Sequence, residues 1–216
     1  MDEPGNHAIP SADHRSPRSR ISRSLRRAPQ IIRNGARDLR FGRLLGGTVP
    51  TRFSHLGAFD VANSEYENMD ILFASLSVRP ADVLVDVGCG KGRATNWFLS
   101  RYPKNRIIGI ELDPEVCART RRRLKRYRNV SIICDEVTAA IPANGTVFYL
   151  FNPFDDVVMR RFRDALVSAR SAAPIGTTVV YYNSKFLDVF SEDPRFSVAA
   201  VSDPRLPAQS AIITMR

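Results

Sequence analysis

The chain has 216 residues, a formal net charge of +10, and a content of 44% hydrophobic and 25% charged residues. This length can bury a sizeable core, and the composition is ordinary for one α/β domain of a globular protein. No apolar run approaches the ~20 residues that a membrane-spanning helix needs. No apolar segment follows the charged N-terminus either, so we expect neither a membrane span nor a signal peptide.

The positions of cysteine and histidine predict no metal site. The three cysteines, at positions 89, 117 and 134, are widely spaced and form no C-x-x-C pair. The three histidines, at positions 7, 14 and 55, all precede the segments with regular apolar patterns. We therefore predict a reducing compartment, the cytoplasm, without a disulfide framework or histidine-based catalysis.

Positive charge is concentrated near the N-terminus. Residues 1–55 contain eleven arginines and four acids, and the rest of the chain is close to neutral. We predict a basic, flexible leader over residues 1–45, a helical lead-in over 46–80 and the main domain over 81–216.

The leader is open to three interpretations. Residues 11–27 are rich in serine, arginine and proline, which predicts disorder. Ile21, Leu25, Ala28 and Ile32 recur at helical spacing between arginines, but Pro29 predicts an interruption of any helix. The leader is a solvated tail, a contact for nucleic acid or an anionic membrane, or a cleaved organellar presequence.

Helices and strands alternate along the rest of the chain. Helices are predicted over residues 64–77, 92–101, from 113, over 155–171 and over 184–190. Strands are predicted over residues 82–87, 106–111, 129–134, 146–151, 177–182, 195–201 and 209–215. This alternation predicts an α/β fold with a doubly wound, mostly parallel sheet and helices on both faces.

Two helix starts and one charge run carry further information. Asn63 or Ser64 is expected to cap the first helix, and Asp113 followed by Pro114 is a strong start for the third. That third helix carries six basic residues between positions 119 and 126. Such a run is usually a solvated face, with contact to RNA or to an acidic substrate as the alternative.

A glycine-rich turn follows the first strand. Glycines at 88, 90 and 92 come directly after the apolar run that contains Asp86. Glycine lets the backbone approach a bound nucleoside closely, whereas Asp86 repels a pyrophosphate and suits a cation. The spacing also differs from two phosphate-binding patterns. A dinucleotide-binding site needs a third glycine at the position of Arg93, and a P-loop needs serine or threonine at the position of Gly92.

Four strands end in a polar residue. Asp86, Glu111, Asp135 and Asn152 each close an otherwise apolar run. Ligands of open α/β sheets bind beyond the carboxyl ends of the strands, so these four side chains are expected to converge on one crevice. Taken singly, each acid is also a plausible helix cap.

The segment from Asp86 to Gly92 resembles motif I of the class I S-adenosylmethionine-dependent methyltransferases, and the resemblance extends over residues 60–216. It implies a seven-stranded, Rossmann-like sheet whose last strand is antiparallel and inserts between the fifth and sixth. It also implies that Glu111 accepts hydrogen bonds from the ribose hydroxyls and that Asp135 meets the adenine. The implied cofactor-binding residues are Asp86, Gly88, Cys89, Gly90, Gly92, Glu111, Leu112, Asp135 and Asn152.

Asn152-Pro153-Phe154 resembles the Asn/Asp-Pro-Pro-Tyr/Phe motif of methyltransferases that act on nitrogen, but it is one residue short. The resemblance implies that Asn152 and Phe154 are catalytic, whereas Asn-Pro is also a common helix-opening turn. Tyr66 and Asn183 are weaker candidates for substrate binding.

The sequence thus predicts an S-adenosylmethionine-dependent methyltransferase that transfers a methyl group by in-line displacement. The acceptor is a protein, a small molecule or a lipid-linked molecule. The alternatives are an RNA or DNA methyltransferase that grips nucleic acid with the basic leader, and a nucleoside-cofactor-binding protein without transfer activity.

Overall fold

The computed structural model describes residues 17–172 and 176–216, with only the backbone described for 17–27 and 172. The disorder predicted for residues 11–16, and the side chains of Ile21 and Leu25, lie outside the described residues, whereas the backbone of residues 17–27 is helical. Within them, no helix is long and apolar enough to cross a membrane.

Within the described residues, seven strands form one sheet. They are β1 Val83–Val87, β2 Arg106–Glu111, β3 Val130–Cys134, β4 Val147–Phe151, β5 Thr178–Tyr182, β6 Phe196–Ala200 and β7 Ser210–Met215. The strand order is β3-β2-β1-β4-β5-β7-β6. β7 pairs antiparallel with both β5 and β6, and the other pairs are parallel. The predicted doubly wound sheet and the insertion of the last strand are confirmed.

The helices of the described residues are α1 Pro17–Leu39, α2 Tyr66–Leu72, α3 Arg93–Arg101, α4 Pro114–Leu124, α5 Asp156–Ala172 and α6 Asp188–Ser191. Asp113 caps α4 as predicted, since its Oδ1 accepts hydrogen bonds from the backbone N–H groups of Glu115 and Val116 at 2.8 and 3.1 Å. The interruption predicted at Pro29 is wrong, because α1 continues through that residue.

Helix α2 is shorter than the predicted span of 64–77, and neither predicted cap is used. Ser64 Oγ shares a 2.5 Å hydrogen bond with the Tyr149 hydroxyl, and Asn63 Nδ2 donates to the Leu45 carbonyl at 2.6 Å. Both polar side chains are therefore engaged with other parts of the fold. The helix is capped instead by Glu65, without a side-chain hydrogen bond.

Both faces of the central strands are buried. Val85 belongs to an apolar cluster on one face with Phe162 of α5, and Leu84 belongs to a second cluster on the other face with Trp97 of α3. Each such side chain, when fully buried, contributes about 1.5–3 kcal/mol. Because both faces are buried, the strands are continuous apolar runs in the sequence, and polar residues are found at their ends.

The chain divides after Arg33 into two compact units, the larger being Asn34–Arg216. The charge distribution assigned residues 34–45 to the leader, but in the structure they belong to this larger unit. In it, Asp38 is fully buried and pairs with Arg93 of α3 through two hydrogen bonds of 2.7 and 3.0 Å. The division into leader, lead-in and main domain otherwise stays a prediction.

Candidate active site

A cleft lies at the carboxyl edge of the sheet, where the strand order reverses between β1 and β4. Gly88 and Cys89 of the glycine turn form its floor, together with the ends of β1, β2 and β4. Residues 51–64, which precede α2, form the opposite wall. Of the predicted site residues, the cleft brings together Asp86, Gly88, Cys89, Glu111, Leu112, Asp135 and Phe154.

The backbone of the glycine turn requires glycine. Gly88 and Gly90 have φ angles of +66° and +51°, in the left-handed region. A Cβ atom on Gly88 would lie 2.7 Å from Pro153 Cβ, and one on Gly90 would lie 2.5 Å from Val61 Cγ1. Close approach of neighbouring segments and positive φ therefore both exclude larger residues here.

Asp86 is the next-to-last residue of β1 and is almost fully buried at the cleft. Its Oδ2 accepts hydrogen bonds from Thr95 Oγ1 at 2.7 Å and from the Thr95 backbone N–H at 3.0 Å. Burial raises the pKa of the Asp86 carboxyl to about 7, against those hydrogen bonds, and the charge of Glu111 adds to the rise. A cation in the cleft would stabilise the ionised form.

Glu111 ties the end of β2 to the glycine turn. Its Oε2 accepts from the Gly90 N–H at 2.7 Å, and its Oε1 accepts from the Asp113 N–H at 2.9 Å. Burial raises the pKa of this carboxyl too. Each carboxylate oxygen has a second lone pair, so Glu111 can still accept from two neighbouring hydroxyls.

Cys89, Leu112 and Asp135 complete the predicted cofactor side. Cys89 is buried, and burial raises the pKa of its thiol well above its usual value, so it packs as a small neutral group. Asp135 is exposed at the rim, where its Oδ1 accepts from the Glu136 N–H at 2.8 Å.

Asn152 is placed differently from the other strand-end residues. Its Oδ1 accepts a 3.1 Å hydrogen bond from the Tyr181 hydroxyl, and its backbone has a φ of +40°. Among the described residues, those lining the cleft include its neighbours Phe151, Pro153 and Phe154 but not Asn152. Its catalytic and cofactor-binding roles stay predictions.

Neither predicted substrate residue lies in the cleft among the residues described. Tyr66 is buried, and its hydroxyl donates to Asp38 Oδ1 at 2.9 Å, so it supports the Asp38–Arg93 pair. Asn183 follows β5 with a φ of +52°, at the turn toward α6. Gly90 and Gly92 are also outside the lining, although Gly90 binds Glu111 through its N–H.

Sequence reasoning missed the wall formed by residues 51–64. This segment is tied to the β4 end by an antiparallel bridge between Ala58 and Phe154 and by a 3.0 Å hydrogen bond from the Phe59 N–H to the Pro153 carbonyl. It also places Ser64 beside Tyr149 in the cleft. The segment has no regular apolar period, so no sequence signal placed it there.

Comparison with known proteins agrees with this geometry. Residues 84–170 match the family model described as a methyltransferase domain. Over 67 residues the chain is 37% identical to a probable cobalt-precorrin-6B C(15)-methyltransferase of Archaeoglobus fulgidus, covering 31% of this chain and 39% of that protein. Over 107 residues it is 31% identical to a trans-aconitate 2-methyltransferase of Sinorhizobium fredii, covering 47% of this chain and 41% of that protein. The chain thus spans about two fifths of these curated relatives.

The fold is also found in solved structures. An RNA methyltransferase from Salinibacter ruber, in complex with S-adenosyl-L-homocysteine, superposes with a TM-score of 0.53 at 20% identity, over 72% of this chain and 92% of that one. At this identity the likeness concerns the fold. Residues 84–170 therefore match a methyltransferase domain, and the solved structure has the same fold.

Proposed function

We propose that this protein is an S-adenosylmethionine-dependent methyltransferase that transfers the methyl group by in-line displacement. One observation carries the proposal. Asp86 of β1 and Glu111 of β2 line the cleft, with the glycine turn between them, and all of these residues lie within the matched methyltransferase domain. The buried carboxyl at the end of β1 fits a ligand with positive charge and disfavours the pyrophosphate of a dinucleotide.

The chemistry of the lining fits the methyl donor. Asp86 would hold the positively charged end of the donor, Glu111 its ribose hydroxyls and Asp135 its adenine. When bound, the donor supplies a methyl group already activated on a sulfonium. The protein therefore has to orient the acceptor and exclude water, and acid–base chemistry is secondary.

The acceptor side of the cleft carries two neutral hydroxyl groups and several aromatic rings. Burial raises the pKa of Tyr149 well above its usual value, so its hydroxyl remains protonated beside Ser64. Phe59, Phe151 and Phe154 add apolar surface to the same cleft. The acceptor is a protein, a small molecule or a lipid-linked molecule that places its nucleophilic atom against this wall.

Partner and compartment belong to the same proposal. The arginine-rich leader contacts an anionic partner, either nucleic acid or a membrane surface, through its excess of positive charge. All three cysteines are free thiols, which supports the reducing cytoplasm as the compartment.

Calorimetric titration of the full chain with S-adenosylmethionine tests the proposal, with NAD as the comparison ligand. We expect binding to S-adenosylmethionine alone and a loss of affinity in Asp86→Ala and Glu111→Ala. Asp156→Ala, which removes an exposed acid at the start of α5, is the control and should bind normally. Absence of binding by the intact chain, or equal binding of NAD, would contradict the proposed cofactor.

A further inference from the structure

A second pocket lies between the loop over residues 42–49 and helix α4, and it has a volume of about 500 Å³. Its lining contains five cations: Arg43, Lys91, Arg119, Arg122 and Arg123. Among the described residues that line it, none is aspartate or glutamate. A concave surface with this many positive charges and no lining acid differs from an ordinary solvated helix face, where both signs are interspersed.

Two of these cations are held in place by the fold. Lys91 Nζ donates to the carbonyl oxygens of Gly46 and Gly47 at 2.9 and 2.5 Å. Arg123 donates through Nη2 to the Lys91 carbonyl at 2.7 Å and through Nη1 to Asn96 Oδ1 at 2.8 Å. These contacts are to neutral oxygens, so they position the charges without neutralising them.

The other three cations are available to a ligand. Within the part of the chain that the structure describes, the side chains of Arg43 and Arg122 form no hydrogen bond or ion pair. Arg119 has an ion pair of 3.7 Å with Glu115, which also accepts a 3.0 Å hydrogen bond from Arg52. Glu115 is thus shared with a second arginine and lies outside the pocket lining.

The positive charges of the pocket oppose one another. Burial lowers the pKa of Lys91, and the charges of Arg93 and Arg43 lower it further against the opposing effect of Asp38. Burial likewise lowers the pKa of Arg123. An anion bound beside Lys91 would offset the repulsion between Lys91 and Arg43.

We propose that this pocket binds the phosphate or diphosphate group of a small ligand. Free guanidinium groups on Arg43 and Arg122 can each bind phosphate oxygens in a bidentate manner, and Lys91 adds a point charge. The volume falls within the range of small-molecule sites, so a compact phosphorylated group suits it better than an extended nucleic acid. The group belongs to a soluble metabolite or to a lipid headgroup, for which the exposed Leu44 at the pocket supplies an apolar neighbour.

This site is separate from the cleft described above, and its existence does not depend on methyl transfer. The two are neighbours in sequence, because Cys89 lines the cleft while Lys91, two residues later in the same turn, lines the basic pocket. The test therefore measures binding without any methyl donor.

Calorimetry with inorganic pyrophosphate and the full chain, at near-physiological salt, tests the proposal. We expect the double variant Arg43→Ala/Arg122→Ala to lose at least roughly tenfold in affinity, since each removed guanidinium takes charge-assisted hydrogen bonds with it. The control is Arg106→Ala/Arg161→Ala, which removes the same charge at two exposed positions outside the pocket. The control should bind like the parent protein, and thermal unfolding checks that both variants fold.

Two further ligands separate the sources of the phosphate group. Vesicles of phosphatidylcholine with and without phosphatidic acid test the lipid headgroup, and a single-stranded RNA tests general attraction to polyanions. Selective loss of pyrophosphate binding in the pocket variant supports the proposal, and matching loss of phosphatidic acid binding assigns the group to a lipid. Absence of pyrophosphate binding by the parent protein, or equal losses in both double variants, overturns the proposal. Binding of the RNA, or its absence, changes neither conclusion.

Discussion

The two sides of the cleft differ in how they are built. The donor side consists of strand ends and the glycine turn, where Asp86 and Glu111 are fixed by backbone N–H groups within a few residues of the strands. The acceptor side consists of residues 51–64 and the end of β4, joined by contacts between segments about 95 residues apart in sequence. The donor side is therefore specified by hydrogen bonds between residues at most 21 positions apart, and the acceptor side by contacts between segments far apart in sequence.

The largest expected effect concerns the support beneath the donor side. Asp38→Ala leaves the buried guanidinium of Arg93 without its partner and removes the acceptor for Tyr66 and for the Leu45 N–H. Breaking a buried pair in this way costs about 3–5 kcal/mol. Chemical denaturation of the variant measures the loss in the free energy of unfolding.

A pair of truncations locates the same support. Removal of residues 1–33 retains Asp38, whereas removal of residues 1–45 deletes it, so only the longer deletion should reproduce the destabilisation. Equal stability of the two truncated proteins would show that residues 34–45 do not contribute to the main domain.

The next effect concerns the glycine turn itself. Gly90→Ala places a Cβ 2.5 Å from Val61 at a φ of +51°, and it should weaken donor binding by roughly 100-fold through displacement of the turn. Gly46→Ala is the matched control, because a Cβ there meets no atom within 4 Å. Calorimetry on the two variants makes the comparison, and similar affinities would mean that the turn does not position the donor.

A pH series tests the charge assigned to the donor side. Because the pKa of Asp86 is raised to about 7, its ionised fraction rises steeply between pH 6 and pH 8. Affinity for the cationic donor should therefore rise roughly tenfold over that interval, and Asp86→Asn should flatten the profile. Donor affinity that falls with rising pH would contradict an ionised Asp86 in the complex.

The same shift has the opposite sign for folding. A carboxyl whose folded-state pKa is raised stabilises the fold while protonated, and that contribution declines as the pH rises from about 4, the pKa of an unperturbed aspartate, to about 7. The free energy of unfolding of the parent protein should thus decline over this window relative to Asp86→Asn, which denaturation at a series of pH values measures.

The smallest expected effect concerns the acceptor side. Asn152→Gly removes the side-chain amide but tolerates the φ of +40°, so it separates the chemistry from backbone strain. We expect turnover to fall several-fold with donor affinity unchanged, because the hydrogen bond to Tyr181 orders the end of β4. Tyr181→Phe removes the same hydrogen bond and should give a similar decrease. Unchanged turnover in the glycine variant would assign Asn152 to the turn alone.

Several features were predictable from the sequence for local reasons. The strands are continuous apolar runs because both of their faces are buried, and their polar ends mark the edge where a ligand binds. The glycines of the turn are required by positive φ angles, and Asp113 with Pro114 starts α4 by capping chemistry that acts within three residues. Hence the parallel strands and the start of α4 were predicted and found. Asp86 and Glu111 lie together at the cleft, and their binding roles stay predictions.

Tertiary structure alone decided the rest. A sequence does not distinguish a buried aspartate such as Asp38 from a solvated one. The charge pattern therefore could not show that Asp38 anchors α3 through Arg93. The side chain of Asn152 turns to Tyr181 rather than to the cleft, which depends on how β4 and β5 pair. The wall over residues 51–64 and the grouping of five cations around one pocket likewise depend on contacts between distant segments, for which one sequence holds no periodic signal.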